Sequence, residues 1–123
     1  MSQNLDAIIN EVGFEIVESI KKKDTKEQTK YKNFIDKSLG VLANDGVYAY
    51  WVYCRANKIE DVFINKIKKL KDYINIEKKD NNEGFFRNLS NNLHQLLFFK
   101  EILEKALIYA RYHAKALKVS DNE

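Results

Sequence analysis

The sequence predicts an all-α protein, a single-domain bundle of five to six helices over residues 1–123. Three observations carry this: apolar residues recur at spacings of three and four, no segment alternates with period two, and the chain has no proline and only four glycines. Its 123 residues, 45% of them hydrophobic, suffice for one core and leave little room for a second domain.

In the first helix Leu5, Ile8, Ile9, Val12, Ile16, Val17 and Ile20 share one face. Asn4 is placed to cap it, and Lys21-Lys22-Lys23 meet the negative end of its dipole. Gly13 weakens a helix interior and marks an expected close crossing. Thr25-Lys26-Glu27-Gln28 reads as a capping box opening a second helix, with Tyr31, Phe34, Ile35, Leu39 and Leu42 inward. Asn44-Asp45-Gly46 interrupts it: Gly46 suits a left-handed closure, and Asn44 or Asp45 is available to cap the next helix.

The third helix, Val47 to about Ala56, holds Tyr48, Tyr50, Trp51 and Tyr53. These rings cannot all point one way, so core packing is the expectation rather than a stacking platform. Ile59, Val62, Phe63, Ile67, Leu70 and Ile74 predict a fourth helix with Lys66, Lys68, Lys69 and Lys71 on its solvated side. A polar loop is expected near 77–84, then a short helical turn through Phe85 and Phe86. The last helix, from about Asn92 to Lys118, carries the stripe Leu96, Phe99, Leu103, Leu107, Ala110, Ala114 and Leu117. Phe98, Tyr109 and Ala116 add a second apolar strip, so this helix is expected to pack on two sides, one of which a neighbouring chain can supply.

Composition excludes several chemistries. One cysteine and two histidines leave no metal-ligand constellation, and Cys54, among aromatics, reads as a buried inert thiol. No glycine-rich phosphate loop is present, so neither a metal nor a cofactor nor a small-molecule substrate is expected. The absence of a leader and of any apolar run near the roughly 20 residues of a membrane span predicts a cytoplasmic protein with no membrane contact. The net charge is only +3, yet residues 1–20 contain no Lys or Arg, and the basic residues cluster further on. Such stripes permit polyanion binding without requiring it.

Two resemblances bear on function. Arg87-Asn88-Leu89-Ser90-Asn91-Asn92-Leu93-His94 places a histidine seven positions after an arginine. It resembles the motif of the HEPN ribonucleases, helical domains in which such a pair cleaves RNA, usually at a dimer interface. Histidine would shuttle the 2′-hydroxyl proton and arginine would stabilise the phosphorane.

The second covers about half the chain. Tyr31-Lys32-Asn33-Phe34, Lys37 to Leu42, Asn44-Asp45-Gly46-Val47, Trp51-Val52-Tyr53 and Lys58 resemble the small-subunit family of type III-B CRISPR effectors, the Cmr complex. So does the block Lys100-Glu101 through Tyr109-Ala110-Arg111-Tyr112-His113-Ala114. Asp45 replaces the usual asparagine, a proline of the second helix is missing, and Tyr109 and His113 stand for tryptophan and phenylalanine. The resemblance implies a non-catalytic all-α subunit of an antiviral RNA-guided assembly. Its partners would be other subunits, copies of itself, and guide and target RNA bound without sequence preference. Beside that resemblance, Arg55, Lys58, Lys100, Arg111, Lys115 and Lys118 are the candidate RNA-binding residues, Arg55 and Arg111 foremost because guanidinium pairs with phosphate in a fork. Arg111 is equally suited to a carboxylate such as Glu104. A helical adaptor that binds protein only remains a third reading.

Overall fold

Local capping chemistry starts the first two helices, and the computed structural model, which describes residues 4–73 and 82–121 (the side chains of 82 and 118–121 excepted), is all-α. The helices are α1 (Leu5–Lys21), α2 (Thr25–Asp45), α3 (Val47–Ala56), α4 (Glu60–Phe63), a 3-10 helix (Asn65–Tyr73), α5 (Asn82–Leu89) and α6 (Leu93–Asp121). No strand occurs among the described residues.

Asn4 caps α1 as expected, its side chain accepting from the Asp6 amide at 2.9 Å. At α2 the cap falls one residue before the predicted box. Asp24 accepts from the Glu27 amide at 2.9 Å. Gln28 reaches back to donate to the Lys23 carbonyl at 2.8 Å instead of accepting from an amide. A carboxylate is a better acceptor for helix N-terminal amides than a hydroxyl, so Asp24 displaces Thr25. Gly46 has φ +97° and ψ −179°, a glycine conformation outside the left-handed helical region. It joins α2 to α3 directly, and α3 has no side-chain cap, because Asn44 and Asp45 are still inside α2.

The predicted fourth helix divides. After α4, Ile64, Ile67 and Leu70 are all buried, and their spacing of three suits the 3.0-residue turn of a 3-10 helix. An α-helix would rotate each step away by about 60°. Ile74 and most of the expected polar loop, as far as residue 81, lie outside the described residues, while α5 already begins at Asn82. Phe85, Phe86 and Leu89 of α5 are buried, so this element does return the chain to the core.

The core is aromatic at one end. Trp51 stacks on Phe86 (centroids 5.2 Å apart), and Phe85 meets Phe99 edge-on at 5.5 Å. Tyr50 is buried and donates its hydroxyl to the Phe63 carbonyl at 2.7 Å, tying α3 to α4. Of the remaining rings of α3, Tyr53 packs on Phe34, and Tyr48 is exposed.

α6 is the central strut, packed most extensively on α1 and then on α2. The α1 crossing is held close by small residues. A Cβ added at Gly13 would lie 2.8 Å from the Ala106 carbonyl oxygen, 2.8 Å from the Tyr109 Cβ and 2.9 Å from the Ala110 amide nitrogen. Backbone cannot yield there as a flexible side chain would. The stripe of α6 is buried at Phe99, Leu103, Leu107 and Ala110, with Ile102 and Ala106 beside it. The second strip is uncovered in the single chain: Tyr109 and Ala116 are exposed, and only Phe98 is half-buried.

Ion pairs bind the outside. The acidic face of α1 is not merely solvated, since Glu11 and Glu15 clasp Lys69 at 2.6 and 2.9 Å and raise its affinity for the proton. Lys23, following α1, meets Asp61 of α4 at 2.7 Å, and the Tyr31 hydroxyl of α2 donates to the same carboxylate at 3.1 Å. Partial burial pushes the Asp61 carboxyl up, but the hydrogen bonds from Lys23 and Tyr31 outweigh it and hold it below its ordinary value. Asp61 in turn raises Lys23.

Two glycines should therefore respond to alanine with opposite signs. Gly13→Ala is expected to destabilise by about 1–3 kcal/mol despite the better helix propensity of alanine. Gly40→Ala in α2, where an added Cβ meets nothing within 4 Å, is expected to gain up to about 1 kcal/mol. Urea midpoints of the two variants check this. Because the Asp61 carboxyl is depressed in the folded state, its contribution is present above the unfolded value of about 4 and lost as pH falls through the folded value. Asp61→Asn is expected to lower stability by about 0.5–1 kcal/mol at neutral pH and to flatten the acid limb, read from urea midpoints across about pH 3–6.

Candidate nucleic-acid interface

Charge on α2 and α6 is arranged by helical period before any tertiary contact forms. On α2, Thr29, Lys32, Asn33 and Asp36 follow one another at spacings of three, one and three, and on α6 Lys100, Glu104, Arg111 and Lys115 share a flank. The two helices run antiparallel. Lys100 donates to the Ala43 carbonyl at 3.4 Å, near the end of α2, whereas Arg111 meets Asp36, two turns earlier, at 3.3 Å.

Between them lies an open cavity of about 310 Å³, lined by Thr29, Lys32, Asn33, Asp36, Arg111 and Lys115 among others. Three cations and one carboxylate face it. Among the described residues Lys32 and Lys115 have no carboxylate partner. Arg111 and Asp36 are both well exposed, so their pair is worth at most about 1 kcal/mol and opens readily for a stronger anion. Lys100 continues the cationic flank outside the cavity, held loosely by Glu104 at 3.8 Å. The carboxylate that answers Arg111 is thus Asp36 of another helix, and Glu104 answers Lys100.

The six candidate residues are divided by the fold. Lys100, Arg111 and Lys115 stand together on α6, with Lys32 added from α2. Arg55, in the last turn of α3, lies over the Trp51 ring at 5.3 Å and 4.0 Å from Glu83 of α5. The buried Trp51 N–H finds no acceptor among the described residues, so stacking against Phe86 and Arg55 holds this ring. Lys58 has φ +58° in the turn between α3 and α4, and its carbonyl accepts from the Tyr31 hydroxyl at 3.5 Å. Neither Arg55 nor Lys58 lines the α2–α6 cavity. The Lys118 side chain lies outside the described residues.

Arg87 and His94 sit on consecutive helices. Arg87 is paired with Glu83 one turn earlier on α5 at 2.5 Å. His94 is exposed in the first turn of α6, where the Asn92 side chain accepts from the Gln95 amide at 3.1 Å. The turn Ser90–Asn92 separates them, and no hydrogen bond joins them. Burial pushes the Cys54 thiol up to about 12, which keeps it protonated and unreactive. No group of His, Cys, Asp and Glu suited to a metal ion occurs among the described residues, and none of their helices is long and apolar enough to cross a membrane.

Lys32 was legible in the sequence only as one member of a lysine-rich stretch. Its separation from Lys30 and Lys37 required knowing which flank of α2 meets α6. Comparison with protein-family models, with curated proteins and with solved structures finds no match to this chain.

Proposed function

We propose that this protein is a non-catalytic small subunit of a type III-B CRISPR RNA-guided effector, an antiviral assembly of the cytoplasm, and that it binds the ribose–phosphate backbone without reading sequence. The observation that carries the RNA-binding reading is the α2–α6 cavity, where Lys32, Arg111 and Lys115 outnumber the single carboxylate Asp36. The assignment to that assembly comes from the sequence resemblance.

The mechanism is phosphate neutralisation. Lys32 and Lys115, without a carboxylate partner among the described residues, are point charges beside the cavity, and Arg111 exchanges Asp36 for a phosphate that its guanidinium grips with two parallel hydrogen bonds. Each contact releases condensed counterions, so the logarithm of the affinity falls linearly with the logarithm of salt concentration. Guide and target pairing carries the sequence information, and the subunit contributes charge and shape. The uncovered strip of α6 supplies surface for other subunits or for further copies of this chain.

In the full chain, Lys32→Ala, Arg111→Ala and Lys115→Ala are each expected to lower the slope of log K against log salt by about 0.7 for single-stranded RNA, without changing the melting temperature by more than a few degrees. Fluorescence anisotropy over a salt series measures it, and slopes identical to wild type would overturn the reading. RNA incubated with wild type in EDTA is expected to remain intact on a denaturing gel. Cleavage that disappears in both Arg87→Ala and His94→Ala would replace this reading with the ribonuclease.

A further inference from the structure

Ile108, Arg111, Tyr112 and Lys115 stand at i, i+3, i+4 and i+7 of α6, so they form one contiguous outward face. It is split lengthwise. Arg111 and Lys115 line the cavity on the α2 flank, where cations predominate. Ile108 and Tyr112 line a second open cavity of about 370 Å³ on the other flank, with Tyr109, Lys105 and Asp6. Tyr112 is 62% exposed and Ile108 38%, although both are large and apolar enough to belong to a core. Further round, Phe14 is 48% exposed and meets the His113 ring edge-on at 5.5 Å.

We infer that this face binds unpaired nucleotides, with phosphates on Arg111 and Lys115 and a base stacked on the Tyr112 ring against Ile108. The inference rests on the backbone-binding reading above and adds that the strand is single where it crosses α6. Charge argues for it: one flank has net positive charge, while the other is lined by one acid, Asp6, and one base, Lys105, whose ammonium meets Glu101 at 3.5 Å. A polyanion with neutral planar groups beside its phosphates has this division, and an aromatic face accepts any base. A duplex keeps its bases within the stack and would use only the cationic flank. A protein partner would use the apolar flank with no need of cations one helical turn away.

The test compares three probes against the full chain: a short fluorescent oligouridylate, an abasic ribose–phosphate strand of equal length, and an RNA duplex of equal length. Tyr112→Ala is expected to weaken oligouridylate binding by about tenfold or more, to leave the other two probes unchanged, and to leave the salt slope of oligouridylate unchanged. Tyr112→Phe should bind as wild type, because the ring and not the hydroxyl acts. Exposure of Tyr112 makes the variant tolerable to the fold, and an unchanged thermal melt verifies this. If Tyr112→Ala leaves oligouridylate affinity intact while Arg111→Ala still lowers the salt slope, stacking is refuted and the backbone-binding reading stands. If no probe binds, or neither Arg111→Ala nor Lys115→Ala changes binding, both fall. If Tyr112→Ala abolishes self-association in sedimentation without altering RNA affinity, the face belongs to a second copy and the inference is overturned.

Discussion

The close approach of α1 and α6 at Gly13 constrains everything else in this molecule. A hydrogen in place of a methyl group lets the α1 backbone settle against Ala106 and Ala110, with the Tyr109 Cβ also at contact distance. Once those residues face inward, the roll of α6 about its axis is set. Phe99, Leu103 and Leu107 then point into the core, and Ile108, Arg111, Tyr112 and Lys115 must point out. The outward face is therefore a geometric consequence of a buried contact on the opposite side of the same helix. A helix this well anchored can present charge and rings to solvent without support from the ligand, so little ordering remains to be done on binding.

The ion pairs divide in the same spirit. Lys69 and Lys23 are engaged by carboxylates from distant parts of the chain, Glu11 with Glu15 and Asp61, and they fasten the 3-10 helix and α4 to the rest. Lys32 and Lys115 are left without acidic partners among the described residues, and Arg111 has only an exposed one. Lysine is abundant in this chain, so its number says nothing about binding. What distinguishes the α2–α6 cavity is an excess of cations over carboxylates within a small volume, where their fields add instead of cancelling. Arg55, the other arginine favoured from sequence, is instead engaged with Trp51 and Glu83, and a stacked guanidinium of this kind stabilises the end of α3.

Sequence reading and structure part where local chemistry or tertiary packing chooses between alternatives that the sequence leaves open. At the start of α2 two neighbouring residues, Asp24 and Thr25, both suit a cap, and the ionised one prevails. After α4, the apolar residues satisfy periods of 3.6 and of 3.0 at once, since Phe63, Ile67 and Leu70 fit one, while Ile64, Ile67 and Leu70 fit the other. Packing against α1 and α6, not propensity, selects the tighter helix. That the acidic face of α1 is engaged cannot be read along the chain, because its partner Lys69 lies 54 residues or more away from Glu11 and Glu15.

Apolar period, missing proline and scarce glycine determined by themselves the all-α class and where most helices lie, a glycine inside the first helix marked the tight crossing, and aromatic neighbours marked Cys54 as buried and inert. These properties are local or follow from one helix face at a time. Which cations share a cavity was decided only by the tertiary structure, because the question depends on the relative roll and register of α2 and α6. Helical period places Arg111 and Lys115 side by side in the sequence alone, but it cannot say that Lys32 and Asp36 stand opposite, or that Arg55 is turned toward Trp51. Those facts come from two helices meeting in one particular alignment, and that alignment is set by core residues that carry no charge.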